Sequence, residues 1–179
     1  NAERLSDMVS SLLDLSRIDY GELKLNIEEI VIEDHINEAI NSLKNLGKRK
    51  NIKIECSCSK GKTVFADKNA LERILNNLIE NAFKYSESDS VISISTRKVK
   101  DHLEISIKDN GSGIPEKEQD YIFDRFYRTA EARATDEKGS GLGLAIVKNL
   151  VNNLNGEVGI KNSTPQGSIF WFTLPLTAS

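Results

Sequence analysis

Long apolar runs are missing from this 179-residue chain, and no stretch approaches the roughly 20 consecutive apolar residues that a membrane-crossing helix requires. Missing too is a broad excess of positive charge. The formal net charge is −3 and the densest basic run is Lys48-Arg49-Lys50, which excludes an electropositive track for nucleic acid. That run reads as a solvated helix end. The polar opening Asn1-Ala2-Glu3-Arg4 is not a signal peptide, so a soluble, cytoplasmic chain without membrane contact is expected. Cysteine is scarce. Cys56 and Cys58 alternate with Ile52 and Ile54 on one strand face, which predicts buried thiols. A metal site needs more soft ligands, and a disulfide between strand neighbours two apart is geometrically poor.

With 39% hydrophobic and 28% charged residues, the chain can build one good core plus a short appendage. Leu5, Met8, Leu12 and Leu15 recur at helical spacing, with Val9 and Leu13 widening the stripe. That stripe wants a helical partner. It begins without an N-cap, as the end of a longer bundle element would, and Gly21 ends it. After an extended piece at 23–30, Ile32, Ile36, Ala39, Ile40 and Leu43 mark an amphipathic helix closed near Gly47. Strand-like alternation follows from Ile52 to Cys58. Asp67 predicts the N-cap of a helix reaching Tyr85, with Leu71, Ile74, Leu75, Leu78, Ile79 and Ala82 facing inward. Two alternating runs meeting at Lys100-Asp101 predict an antiparallel hairpin. A loop rich in glycine, a short helix over 116–123, a polar stretch over 129–138, a helix over 142–154 and two closing strands complete the chain. The order predicts an α+β two-layer sandwich, a mixed and mostly antiparallel sheet against helices, preceded by one N-terminal helix.

Three segments carry chemistry. On the helix ending at Tyr85, Asn77, Asn81 and Lys84 fall at i, i+4 and i+7, placing two amides and a cation on one face. Amide oxygens are hard ligands suited to Mg²⁺ beside phosphate, although a solvated helix face matches the same pattern. In Asp109-Asn110-Gly111-Ser112-Gly113-Ile114-Pro115, a carboxylate at a strand end could accept from the exocyclic amino group of adenine, which guanine lacks at that place. An ordinary turn has the same composition. Gly139-Ser140-Gly141-Leu142-Gly143-Leu144-Ala145 opens a helix, where free amides and the macrodipole make an anion cradle. Three alternate glycines are hard to explain as linker.

Other phosphate motifs are absent. A Rossmann fingerprint needs glycine at Leu144, and a P-loop ending at Gly61-Lys62-Thr63 needs glycine at Cys56, so that tripeptide reads as a turn. The His-Arg-Asp and Asp-Phe-Gly signatures of protein kinases are also missing. Together, the three segments resemble the N, G1 and G2 boxes of sensor histidine kinases, in that order and at fitting separations. Ile122-Phe123-Asp124-Arg125-Phe126-Tyr127-Arg128 resembles the F box, Gly167 to Pro175 the closing strand, and Leu12-Leu13-Asp14-Leu15-Ser16-Arg17 the end of the second dimerisation helix.

The resemblance implies a Bergerat fold over 21–179, with 1–20 a remnant of the dimerisation domain, and ATP with Mg²⁺ as cofactors. It implies that Asn81 coordinates Mg²⁺, with Asn77 supporting the metal or its waters. Lys84 would contact phosphate, Tyr85 would lie near the nucleoside, Asp109 would read adenine, Gly113 would give the ring room, and Gly111, Ile114 and Phe123 would join the nucleotide-binding set. Gly139, Ser140, Gly141, Leu142, Gly143 and Leu144 would hold phosphates, Arg128 would face the terminal ones, and 129–138 would form a mobile lid. Asn77, Lys84 and Arg128 would be the catalytic set. Gyrase-like ATPases of this superfamily place a glutamate base where Asn77 stands; an amide cannot take that role, which favours phosphoryl transfer to a protein. The implied partners are a phosphoacceptor histidine domain, a response regulator and a second copy of the parent. The chain has two histidines, and neither His35 nor His102 is followed by an acidic residue and a Leu-Arg-Thr-Pro-like run. Both read as structural, so no self-phosphorylation is expected.

Overall fold

The computed structural model describes residues 9, 24–48, 50–134, 139–162 and 166–177. The N-terminal stripe lies outside these residues, except that Val9 is helical and about half exposed. Strand β1 (Glu28–Val31) leads directly into helix α1 (Ile32–Lys48), which buries Ile32, Ile36 and Ala39. Strands β2 (Lys53–Ser57) and β3 (Thr63–Ala66) precede helix α2 (Lys68–Tyr85). Asp67 caps α2 as its residue type predicts: Oδ1 accepts from Ala70 N at 2.9 Å, and Oδ2 accepts from Asn26 N at 2.8 Å, so one carboxylate also fastens the incoming chain.

The hairpin strands are β4 (Val91–Val99) and β5 (His102–Lys108), turning at Lys100 with φ +53°. Helices α3 (Glu116–Gln119), α4 (Ala130–Ala134) and α5 (Gly143–Asn153) follow, then β6 (Val158–Asn162) and β7 (Ser168–Pro175). Period-two alternation explains the main sheet. Ile92 and Ile94, Leu103, Ile105 and Ile107, and Phe170, Phe172 and Leu174 face the helices and are buried. The opposite face carries Ser93, Ser95 and Arg97, the last forked onto Glu104 at 2.7 and 2.9 Å. Sheet order is β2-β4-β5-β7-β6, with β2–β4 parallel and the other pairs antiparallel. Helix α2 is central and packs on both α1 and α5. The α+β sandwich of a mixed, mostly antiparallel sheet against helices is therefore the fold.

Three local expectations change. A single sheet is expected, but β1 and β3 form a separate antiparallel pair, Glu28 opposite Ala66 through Val31 opposite Thr63. Thr63 thus belongs to a strand and only Gly61, at φ +63°, to the turn. The four-residue β3 is too short to display a period that sequence could reveal. The short helix expected over 116–123 stops at Gln119, and the segment beyond proceeds in turns.

The cysteines are not buried thiols. Cys56 and Cys58 are joined as a disulfide with Cα atoms 5.6 Å apart; Cys56 is exposed and Cys58 half-buried. The geometric objection holds for two residues inside one strand. Here β2 ends at Ser57, so the backbone leaves the strand between the two sulfurs and brings them together. Strand β2 is also a sheet edge, which leaves Cys56 uncovered.

Candidate nucleotide site

Helix α2 buries its aliphatic stripe and turns Asn77, Asn81 and Lys84 toward a cavity of about 450 Å³. The Asn77 amide is oriented by its own helix, since Nδ2 donates to Arg73 O at 2.8 Å. Its Oδ1 lies against Gly143, where a Cβ would come within 2.6 Å of it. The Lys84 ammonium donates to Tyr85 Oη at 3.1 Å and sits 4.8 Å from the Tyr85 ring centre, so these two side chains form one wall.

Asp109 directly follows β5 and is 4% exposed. Its Oδ1 accepts from the amides of Gly111 and Ser168, both at 2.9 Å, while the Asp109 amide donates to Ser168 O. The carboxylate is thereby locked in a single orientation at the cavity edge. Burial pushes its carboxyl above the usual carboxylate range, and the two amide hydrogen bonds pull it part of the way back.

The glycine loop enters α5 with no side-chain cap, and the first helical bond runs from Ile146 N to Leu142 O. The Leu142 amide donates to Ser140 Oγ at 3.3 Å, and the amides of residues 143–145 have no carbonyl one turn back within the helix to bond, which leaves them for a ligand. Gly141 has φ +71°, and a Cβ there would lie 2.7 Å from the Phe126 carbonyl carbon, so only glycine fits. Phe126 itself has φ +62° and donates its amide to Gly141 O at 2.9 Å. Backbone strain of this kind in a non-glycine residue concentrates at ligand sites. Helix α4 folds half of the polar stretch over 129–138 onto the cavity; 135–138 lie outside the described residues. Ser112 Oγ donates to Glu131 Oε2 at 2.8 Å, and Glu118 Oε2 accepts from Tyr127 Oη and the Ala130 amide. The Arg128 guanidinium donates to the Ala132 carbonyl.

The cavity wall includes Asn77, Asn81, Lys84 and Tyr85 from α2, and Asp109, Gly111, Gly113 and Ile114 from the turn after β5. Arg128, Gly139, Ser140, Gly141, Gly143 and Leu144 complete the expected set. Two expected residues stay out of it. Leu142 has no exposed surface and joins the core, and Phe123 packs half-buried against that core. Both are apolar residues drawn inward beside a polar loop.

Sequence reasoning missed Lys50, Glu131 and Ser168 as wall residues. Ser168 faces Asp109 only through strand pairing, which leaves no local signal. Lys50 corrects the solvated-end reading outright: it is half-buried, and its ammonium donates to the carbonyls of Lys84, Ser86 and Phe83 at 2.6, 3.0 and 3.4 Å. Both histidines are engaged elsewhere, His35 Nδ1 3.3 Å from Glu38 Oε2 and His102 Nε2 3.0 Å from Asn155 O. Among the described residues no three acidic, histidine or cysteine side chains are placed to hold a metal. None of the described helices is long and apolar enough to cross a membrane.

This arrangement has close relatives. Residues 66–178 match the family described as histidine kinase-, DNA gyrase B-, and HSP90-like ATPase. The chain is 36% identical to the sensor-like histidine kinase SenX3 of Mycobacterium tuberculosis, over 97% of this chain and 42% of SenX3. It is 32% identical to the signal transduction histidine-protein kinase ArlS of Staphylococcus aureus, over 93% of this chain and 37% of ArlS. The chain thus spans less than half the length of these relatives. Among solved structures, the histidine kinase AdeS of Acinetobacter baumannii superposes with a TM-score of 0.82 at 25% identity, covering 99% of this chain and 81% of AdeS. Full-length ShkA in complex with AMPPNP superposes at 0.85 and 28% identity, covering 98% of this chain and 36% of ShkA. By these matches the chain belongs to the histidine kinase-, DNA gyrase B-, and HSP90-like ATPase family, as a relative of the catalytic domains of sensor histidine kinases.

Proposed function

We propose that this chain binds ATP with Mg²⁺ and presents the γ-phosphoryl group to a histidine on a separate dimerisation domain, for onward transfer to an aspartate of a response regulator. One observation carries the reading: Asn81, Asp109 and Gly141, far apart in sequence, line one cavity. Asp109 is a fixed acceptor for the amino group of adenine, and guanine would present an acceptor against it. The open amides at the start of α5 receive phosphate oxygens, with Lys84 as the cation across from them. Asn81 supplies a hard oxygen to Mg²⁺ and Asn77 supports the metal or its waters. Such an ion, when bound, neutralises charge on the phosphates.

Asn77 favours transfer over hydrolysis. An amide already bonded to Arg73 O cannot deprotonate a water, so this position offers no base for hydrolysis. His35 and His102 point to other partners, which leaves a histidine outside this chain as nucleophile. Residues 1–20 belong, on this reading, to the dimerisation domain of a homodimeric parent. Incubation with γ-labelled ATP and a histidine-bearing dimerisation domain tests the proposal. Acid-labile label should appear on that domain and not on this chain. Steady ADP release without any acceptor would instead support a gyrase-like ATPase.

A further inference from the structure

We infer that Lys50 is a positioning residue for the nucleotide cavity, holding the end of α2 so that Lys84 and Tyr85 face the turn carrying Asp109. The inference rests on the nucleotide-binding reading above. Helix α2 ends without the left-handed glycine that usually satisfies terminal carbonyls: Ser86, its C-cap, is extended at φ −69° and ψ 147°. The Lys50 ammonium takes that place by donating to three carbonyls, of Lys84, Ser86 and Phe83. A cation at a helix C-terminus also complements the dipole there.

The other side of the same helix end is sewn to the Asp109 turn. Asn110 N donates to Ser86 Oγ at 3.3 Å, Glu87 N donates to Asn110 O at 3.4 Å, and a Cβ on Gly111 would lie 2.6 Å from Tyr85 O. These contacts are long or close-set, so a small rotation of residues 84–87 moves Lys84, Tyr85 and Gly111 together. Lys50 is itself clamped before any ligand arrives. Its carbonyl accepts from Asp89 N at 2.8 Å, Asn51 Nδ2 donates to Asp89 Oδ1 at 2.7 Å, and Lys53 N donates to Ser90 O at 3.0 Å. The ammonium is a fixed peg rather than a mobile surface charge.

The experiment compares wild type, Lys50→Met, Lys50→Arg and Val64→Ala, the last a core control in the two-stranded sheet. Binding of a non-hydrolysable ATP analogue with Mg²⁺ is titrated well below every melting temperature, and amide NMR shifts of Asn110 and Gly111 are recorded without ligand. Lys50→Met should weaken the analogue by about 5- to 20-fold and shift both amides, as loss of charged hydrogen bonds implies. Lys50→Arg should restore most of the affinity, and Val64→Ala should bind as wild type does. Unshifted amides in Lys50→Met overturn the inference, as does an equal loss of affinity in Val64→Ala. If wild type itself binds no analogue, the nucleotide reading fails, and the amide shifts still decide whether Lys50 sets the turn.

Discussion

The α carbon of Gly143 lies so close to the Asn77 amide that a Cβ there would meet Oδ1 at 2.6 Å. The absence of a side chain at the first residue of α5 therefore leaves room for the Asn77 carboxamide, as well as leaving the helix start open. Alanine is a better helix former than glycine, so intrinsic propensity alone predicts stabilisation. Contact opposes that gain, because the Asn77 oxygen can yield only by giving up the Nδ2 bond to Arg73 O. Gly143→Ala should cost about 1–3 kcal/mol by overpacking, and Asn77→Ala in the same molecule should relieve most of it. Thermal melts of the four members of the cycle measure the coupling; additivity would refute the contact.

Asp109→Asn separates recognition from folding. The asparagine Oδ1 can still accept from Gly111 and Ser168, but the second oxygen becomes an amino group. Loss of the charged acceptor should cost on the order of 1.5–3 kcal/mol of ATP-analogue binding. Stability should move the other way. Because burial raises this carboxyl, its contribution to folding is fully present below the usual carboxylate pKa and is lost as pH rises through the folded value. The ligand-free variant should therefore melt no lower than wild type at neutral pH. Wild-type binding should weaken as pH falls through that raised value, and the variant should lose this dependence; calorimetry across acidic pH checks both.

Asn81→Ala should abolish most of the difference in ATP-analogue affinity between buffer with Mg²⁺ and buffer with chelator, by at least about tenfold in metal dependence. No trio of acidic, histidine or cysteine side chains among the described residues offers a second metal cage. An unchanged magnesium effect in the titrations would remove Asn81 from the metal's coordination.

Ser112 and Glu131 tie α4 to the turn after β5. Removing the hydroxyl in Ser112→Ala should favour opening of α4 by about 0.5–1 kcal/mol, since the bond is solvent-exposed. Hydrogen exchange at residues 130–134 should accelerate accordingly while α2 amides stay protected. Equal acceleration in both would mean global destabilisation.

Local rules read well where one residue type has one physical use. Asp67 before an apolar helical stripe, the β4–β5 alternation and the glycines that open α5 each declare their element and their place in the site. They read poorly where the meaning depends on a distant partner. Lys50 looks like an ordinary surface lysine until Asp89 and the end of α2 surround it, and Cys56 and Cys58 look like strand neighbours until the strand stops between them.

What sequence alone determined is the chemical inventory and its order: amides and lysine on one helix face, a carboxylate at a strand end, bare amides at a helix start. These follow from periodicity and capping, which act over one or two turns of chain. Tertiary structure alone decided that they share a cavity, that Ser168 orients Asp109, that Gly143 leaves room for Asn77 and that a lysine 34 residues before Lys84 holds the helix end. Those relations arise from burial of one common core, and a core imposes proximity on residues that no local pattern connects.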